Sequence, residues 1–380
     1  MVEKKRILLI ENFTSDFVNA RLKYAQYLVN NYYDVYALIP KDEEFKKVII
    51  NSGITVLEYE FDRKNKGLIQ IFRLSKYYRK VILENKIDIV HSFRFQPNLF
   101  NSFSKINNTY LSVLHVTGLG ISFSNNSMKY KLLGFLSQII YLLKHFMADV
   151  VIYQNPDDIN DIWATKLFPE KCHIIKGSGI DTSYFDKNNF DKYLIRKNLN
   201  IPIESKVFIC VTRLIWEKGV KQLVDAFKIL YKNNKQINLY IVGAPDYDNP
   251  RHVDDEFVRK SQIEPNIFFL GKRNDIPELL AMADVFILPS YYREGIPRSI
   301  LEALSMSLPI ITTNMPGCNL TVVPNENGFL IKPYSTNEIT KFAELILSSN
   351  LDSFSYKSRR MALDLFQDFK IFSQISTLYS

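Results

Sequence analysis

Cysteine is scarce. The 380 residues hold three, Cys172, Cys210 and Cys318, far apart and in no metal-ligand spacing. That excludes a disulfide scaffold and a zinc module, and it fits a reducing compartment. Long apolar runs are missing too. The greasiest segment, Lys131–Met147, is broken by Lys144 and His145 and falls short of the roughly 20 clean apolar residues a spanning helix needs. The opening Met1-Val2-Glu3-Lys4-Lys5-Arg6 is basic, but the apolar run behind it is only Ile7 to Ile10, closed by Glu11. It reads as a buried strand rather than a signal peptide. There is no GxxxxGK[ST] segment, which argues against a P-loop nucleotide hydrolase. No internal repeat at the period of roughly 20–50 residues that marks solenoids is present.

What is there points to two ordinary domains. The length exceeds one hydrophobic core and is short for three. Apolar residues make up 47%, enough to exclude a disordered chain. The formal charge is +8. Residues 1–190 carry 25 Lys/Arg against 19 Asp/Glu, and residues 191–380 carry 23 against 21, so most of the excess lies in the first half. It permits an anionic partner: nucleic acid, nucleotide or an acidic membrane surface. The densest basic stretch is Arg63, Lys64, Lys66, Arg73, Lys76, Arg79 and Lys80. It reads either as a solvated helix face or as a lipid-headgroup surface. No zinc spacing or RNA-binding run accompanies it, so nucleic acid is not expected. Segment 131–147, flanked by Lys129 and Lys131, reads either as a buried helix or as one lying against lipid.

Short apolar runs alternate with helical patterns. Arg6–Ile10, Asp34–Ile39, Lys86–His91, Leu111–Val116 and Val150–Tyr153 read as strands, and Asn19–Asn30 as a helix. Residues 186–204 are polar, rich in Asn and Lys, and read as the linker. The alternation then restarts with strands at Val207–Val211, Asn238–Val242, Asn266–Leu270, Val285–Pro289 and Pro309–Thr313. Helices are expected at Val220–Tyr231, Pro277–Ala283 and Pro297–Leu308. The expectation is α/β: two Rossmann-like parallel-sheet domains facing across a cleft. The domains are 1–190 and 191–350, with 351–380 as a closing helix, about 352–376, packed back toward the first.

Open parallel sheets bind ligands beyond the carboxyl ends of their strands. After the strand ending at Val211 comes Thr212-Arg213-Leu214-Ile215-Trp216-Glu217-Lys218-Gly219, then a helix. Arg213 and Lys218 on that loop suit a diphosphate, with helix N–H groups adding to the field; an ordinary exposed loop is the bland alternative. After the strand ending at Pro289 come Glu294, Gly295, Ile296, Pro297 and Arg298, with Glu302 further into the helix. The two carboxylates lie roughly 8–12 Å apart along the axis, too far for a retaining hydrolase pair and suited to two ends of an extended ligand.

The stretch from Arg213 to Gly328 resembles the retaining nucleotide-sugar glycosyltransferases of family 4, which have the two-domain B-type fold. Glu294 and Glu302 match that family's two glutamates. The run EGIPRSILEALSMSLPIITTNMPGCNLTVVPNENGFLI is similar to the subgroup acting on polyprenyl-diphosphate-linked sugars in polysaccharide repeat-unit assembly. His115-Val116-Thr117-Gly118-Leu119-Gly120, Val151–Asp158 and Gly177–Asp181 resemble its further signatures. The resemblance implies an enzyme moving a hexose or N-acetylhexosamine from a UDP-sugar to a polyprenyl-diphosphate-linked acceptor. Its setting would be the cytoplasmic face of a bacterial membrane, where capsule or lipopolysaccharide is built, with no cofactor and no metal. It implies that Arg213 and Lys218 bind the donor diphosphate, that Glu294 holds donor sugar hydroxyls and that Glu302 holds the ribose. The backbone at Gly295 and Ile296, together with Arg298, would line the donor, and Gly118 and Gly120 would meet its diphosphate. His115 is the match to a donor-sugar histidine, with His91 as a second candidate. The loop Glu11–Asp16 lacks the glycines many members have there. Two other readings remain: a sugar-nucleotide-binding protein or a transferase using a soluble acceptor, and a non-catalytic membrane-associated scaffold on the same fold.

Overall fold

Strands of near-continuous Val, Ile, Leu and Phe form where both faces of a sheet are covered by helices. The computed structural model describes residues 4–61, 67–105, 110–120, 123 and 128–379, and it divides them into two units. Arg63, Lys64 and Lys66 of the basic stretch lie outside the described residues.

The first unit comprises residues up to 178 together with 368–380. Its seven strands are β1 (Arg6–Ile10), β2 (Asp34–Pro40), β3 (Thr55–Tyr59), β4 (Ile89–Phe93), β5 (Leu111–Val116), β6 (Val150–Tyr153) and β7 (Cys172–Ile174). All pairings are parallel, in the order β3-β2-β1-β4-β5-β6-β7. Ile7, Leu9, Ala37 and Val113 point into one core layer, and Leu8, Ile10, Leu38 and Val90 into the other. This alternation follows from the two-residue period of a strand.

The second unit is residues 179–367. Its strands are β8 (Lys206–Val211), β9 (Ile237–Val242), β10 (Ile267–Phe269), β11 (Val285–Leu288), β12 (Ile310–Thr313) and β13 (Gly328–Ile331), ordered β10-β9-β8-β11-β12-β13 and all parallel. In each sheet the chain winds outward from the middle in both directions. The reversal falls between β1 and β4 in the first unit and between β8 and β11 in the second. Loops leaving such a pair of strands diverge to opposite sides and open a crevice.

Two boundaries differ from the sequence reading. The division falls at 178/179 rather than near 190, because Ile180 and Phe185 are buried in the second core. Arg359 pins that segment by donating to the carbonyls of Thr182 and Phe185 and pairing with Asp186. The expected closing helix of about 352–376 is broken. Leu351–Met361 and the wide turn Ala362–Phe366 belong to the second unit, Gln367 is extended, and Asp368–Ser376 packs into the first through Ile371, Phe372 and Ile375. The expected helix 19–30 is likewise two helices, Thr14–Ala20 and Leu22–Asn30, interrupted at Arg21.

Helix Met128–Met147 contains the greasy segment, and it has two faces. Tyr141, Lys144 and His145 are buried, while Leu132, Phe135, Leu136, Ile139, Leu143 and Phe146 are exposed. Among the described residues, no helix is long and apolar enough to cross a membrane.

Candidate active site

The β8–β11 reversal is where the second unit brings charged side chains together. The loop after β8 ends in a short turn, Trp216–Lys218, and Gly219 then starts helix Val220–Asn233. Gly219 has φ 75°, and a Cβ there would lie 2.2 Å from the carbonyl oxygen of Pro289, at the end of β11. Only glycine lets the two loops approach this closely. The result is a largely buried ion pair across the reversal, Lys218 Nζ to Glu294 Oε1. Ser290 Oγ donates to the same carboxylate oxygen at 3.2 Å, and the Tyr292 ring lies 5.9 Å from the ammonium. The Glu294 loop is braced from behind by Gly317, at φ 83°, where a Cβ would sit 1.5 Å from the carbonyl oxygen of Gly295.

The other predicted residues have their own partners. Arg213, largely exposed, pairs with Asp246 at 2.6 Å rather than sharing a partner with Lys218. Arg298, the first residue of helix Arg298–Ser305, reaches Glu302 Oε1 at 3.0 Å. Burial pushes the Glu302 carboxyl above the usual carboxylate range, and Arg298 opposes that rise. Gly295 and Ile296 are buried. Pro297 is the extended residue before the helix, not its first turn.

In the first unit, the β1–β4 reversal carries a cluster the sequence reading did not assemble. Glu11 is fully buried between Arg94 Nε at 3.1 Å and Arg21 Nε at 3.6 Å, and Arg94 also pairs with Asp16. Burial raises the Glu11 carboxyl, and the two guanidiniums oppose that rise. Arg94 has φ 76°, a region a non-glycine residue adopts only when its surroundings hold it there. Here its N–H donates to the His115 carbonyl at 3.0 Å and its side chain is tied to two carboxylates. Glu11 is a β1 end residue and Arg94 a β4 end residue, so the rule that pointed to Lys218 and Glu294 also identifies this pair.

Gly118 and Gly120 follow β5 at φ 115° and 69°, both half-buried. His115 sits one residue inside the end of β5 and is fully buried. Its Nδ1 meets His91 Nε2 at 3.3 Å and its Nε2 meets the Gln154 amide at 3.2 Å, so it presents neither ring nitrogen to solvent. His91 is equally buried, with Nδ1 at 2.5 Å from the Tyr379 hydroxyl. Burial holds both imidazoles well below their ordinary pKa, and the nearby Arg21 adds to it. They are neutral. Among the described residues, no three His, Cys, Asp or Glu side chains are grouped as metal ligands would be.

Comparisons with known proteins bear on the fold and the activity. A family model described as "Glycosyl transferases group 1" matches residues 191–361, and one described as "Glycosyl transferase 4-like" matches residues 6–155. The Campylobacter jejuni N,N'-diacetylbacillosaminyl-diphospho-undecaprenol alpha-1,3-N-acetylgalactosaminyltransferase is 28% identical over 321 residues, covering 83% of this chain and 82% of its own. The Escherichia coli UDP-Gal:alpha-D-GlcNAc-diphosphoundecaprenol alpha-1,3-galactosyltransferase is 28% identical over 318 residues, covering 83% and 79%. Among solved structures, Anabaena HepE in complex with UDP and glucose superposes with a TM-score of 0.81 at 18% identity, over 98% of this chain and 99% of the other. The chain is therefore an enzyme, a glycosyltransferase of the two-domain B-type fold related to the group 1 and 4-like glycosyl transferases.

Proposed function

We propose that this glycosyltransferase moves a hexose or N-acetylhexosamine from a UDP-sugar to a polyprenyl-diphosphate-linked saccharide, retaining the donor's anomeric configuration, in the assembly of a cell-surface glycan. The observation that carries the reading is the Lys218–Glu294 pair bridging the β8–β11 reversal. An ammonium and a carboxylate held together at a ligand crevice are complementary to a diphosphate and to sugar hydroxyls. When the donor enters, Lys218 transfers its attraction to the diphosphate, and Glu294 is released to accept from the sugar. Arg213 reaches the same diphosphate by leaving Asp246, and Glu302, oriented by Arg298, accepts from the ribose. The relatives' names support the substrate classes: one states a UDP-galactose donor, and both state undecaprenyl-diphosphate-linked acceptors.

In this reading, the acceptor hydroxyl attacks the anomeric carbon on the face the diphosphate leaves. A new glycosidic C–O bond forms, the bond from that carbon to the phosphate oxygen breaks, and the acceptor proton passes to the departing oxygen. Lys218 and Arg213 stabilise the charge on UDP, a task for fixed cations in a water-poor site. In this reading the enzyme works at the inner face of the cytoplasmic membrane, where a polyprenyl chain anchors its acceptor. The exposed apolar face of helix Met128–Met147 supports that placement, as do Leu68, Ile69 and Phe72 beside Arg73 and Lys76.

The test is a screen of UDP-sugars against short-chain polyprenyl-diphosphate saccharides, read by product mass and by the anomeric coupling constant of the new linkage. Transfer with retention is expected. Turnover only with soluble acceptors, or an inverted product, overturns the reading. Sedimentation with anionic vesicles tests the surface: wild type binds, and Phe135→Glu/Phe146→Glu does not.

A further inference from the structure

Ser290 is the second residue past β11, and it is fully buried where the two loops of the second reversal meet. Its hydroxyl has three polar neighbours. The Tyr292 N–H donates to it at 3.3 Å. The Glu217 carbonyl oxygen lies at 3.4 Å, and Glu294 Oε1 at 3.2 Å. The backbone of Ser290 is fixed as well, because its carbonyl accepts from the Thr313 hydroxyl at the end of β12.

The roles of these neighbours cannot be reversed. A backbone N–H only donates, a carbonyl only accepts, and a carboxylate paired with an ammonium only accepts. The Glu217 carbonyl already accepts from the Tyr291 N–H at 2.8 Å and the Tyr292 N–H at 3.2 Å, so its two lone pairs are engaged. Serine has one proton to give. Tyr292 occupies a lone pair of Oγ, Glu217 is satisfied, and the proton goes to Glu294. The charged acceptor is also the nearer and the stronger one.

At 3.2 Å this bond is long for a hydroxyl donor, whose usual reach is about 2.5–3.0 Å. Lys218 sits on the same oxygen, so two donors share Glu294 Oε1. Once the ammonium leaves, a small shift of the carboxylate brings the hydroxyl bond to full strength. Bonds of this kind are often long in a free enzyme and tighten when substrate is bound.

We infer that Ser290 is a positioning residue: it takes over the Glu294 carboxylate when Lys218 is drawn away, and so keeps that carboxylate in place to meet a ligand. The effect on transfer rests on the proposed function, in which the donor diphosphate draws Lys218 off. The hand-over itself rests on the geometry alone.

The experiment has two arms. The first needs no substrate. Urea unfolding is compared for Ser290→Ala made in the wild type and in Lys218→Met, or in Lys218→Gln should the first not fold. With the ammonium gone, Ser290 holds the carboxylate. Its loss is then expected to shift the unfolding equilibrium constant at least about threefold more than in the wild type. A serine that merely fills space costs the same in both backgrounds, and that result overturns the inference whatever the activity. The second arm reads transfer. Ser290→Ala is expected to lower kcat/KM for the UDP-sugar about three- to tenfold, the worth of one hydrogen bond. In Glu294→Ala there is no carboxylate to position, and the same substitution should change the residual rate less than about twofold. A loss of equal size in both backgrounds overturns the inference. Absent transfer in the wild type, with the unfolding result as expected, defeats the proposed function instead.

Discussion

The two sheet reversals carry the same device built in opposite sense. In the first unit the carboxylate leaves β1 and the cation leaves β4; in the second the cation leaves β8 and the carboxylate leaves β11. The first pair centres on a sealed carboxylate, although its Arg94 side chain is 30% exposed. Glu11 is fully buried and shared by two guanidiniums, and a non-glycine residue is held at positive φ to complete it. The second is more open at its carboxylate: the Glu294 side chain is 16% exposed against 0% for Glu11, the Lys218 side chain is 10% exposed, and Ser290 donates to that carboxylate. Breaking the first strands a fully buried charge. The second keeps both partners within reach of solvent, so it exchanges partners at lower cost. The same topology thus supplies a brace in one domain and the proposed ligand site in the other.

The largest effect should come from the brace. Glu11→Ala leaves Arg21 and Arg94 crowded together without their shared counter-charge, and about 3–5 kcal/mol of stability should be lost in urea unfolding. If that variant is stable and merely inactive, the first reversal is a ligand site too and the contrast disappears. Glu294→Gln should do the reverse. kcat should fall about 10²- to 10³-fold in a donor-turnover assay, while the unfolding midpoint moves by no more than about 3 °C. Gly317→Ala tests how finely the open site is held. A Cβ at 1.5 Å from the Gly295 carbonyl must displace the Glu294 loop, and about a tenfold loss of kcat/KM is expected. The last effect is read against pH and concerns a lysine with no counter-ion among the described residues. Lys144 is buried with its ammonium 3.9 Å from the Phe95 ring centre and 4.2 Å from that of Tyr141, and burial lowers its pKa from 10.5 to about 7. The unfolded chain holds that proton up to pH 10.5, so this contribution to stability is full above 10.5 and is lost as pH falls toward 7. Lys144→Met should remove a slope of at most about 1.4 kcal/mol per pH unit in that window, measured by unfolding at several pH values.

Much of the second domain was legible because its signals are local. Apolar runs such as Val207–Val211 fix the strands, and the residues just after them fix where Lys218 and Glu294 must stand. Arg213 was placed in the right loop but not with its partner, because Asp246 is 33 residues away and nothing in the sequence ties the two. The first domain hid more. Glu11 with Arg94, and His91 with His115, are pairings across neighbouring strands set by register alone. The break at Gln367 was invisible because both flanking segments are good amphipathic helices. The interruption lies in which core each face joins, not in the propensity of either.

That break has a consequence for the order in which the molecule is made. Phe372, Ile375 and Tyr379 belong to the core begun by Ile7 and Leu9. During synthesis they emerge only after the whole of the second unit. The domain translated first is therefore completed last, waiting as a sheet with an unfilled layer until a segment some 190 residues downstream arrives to close it.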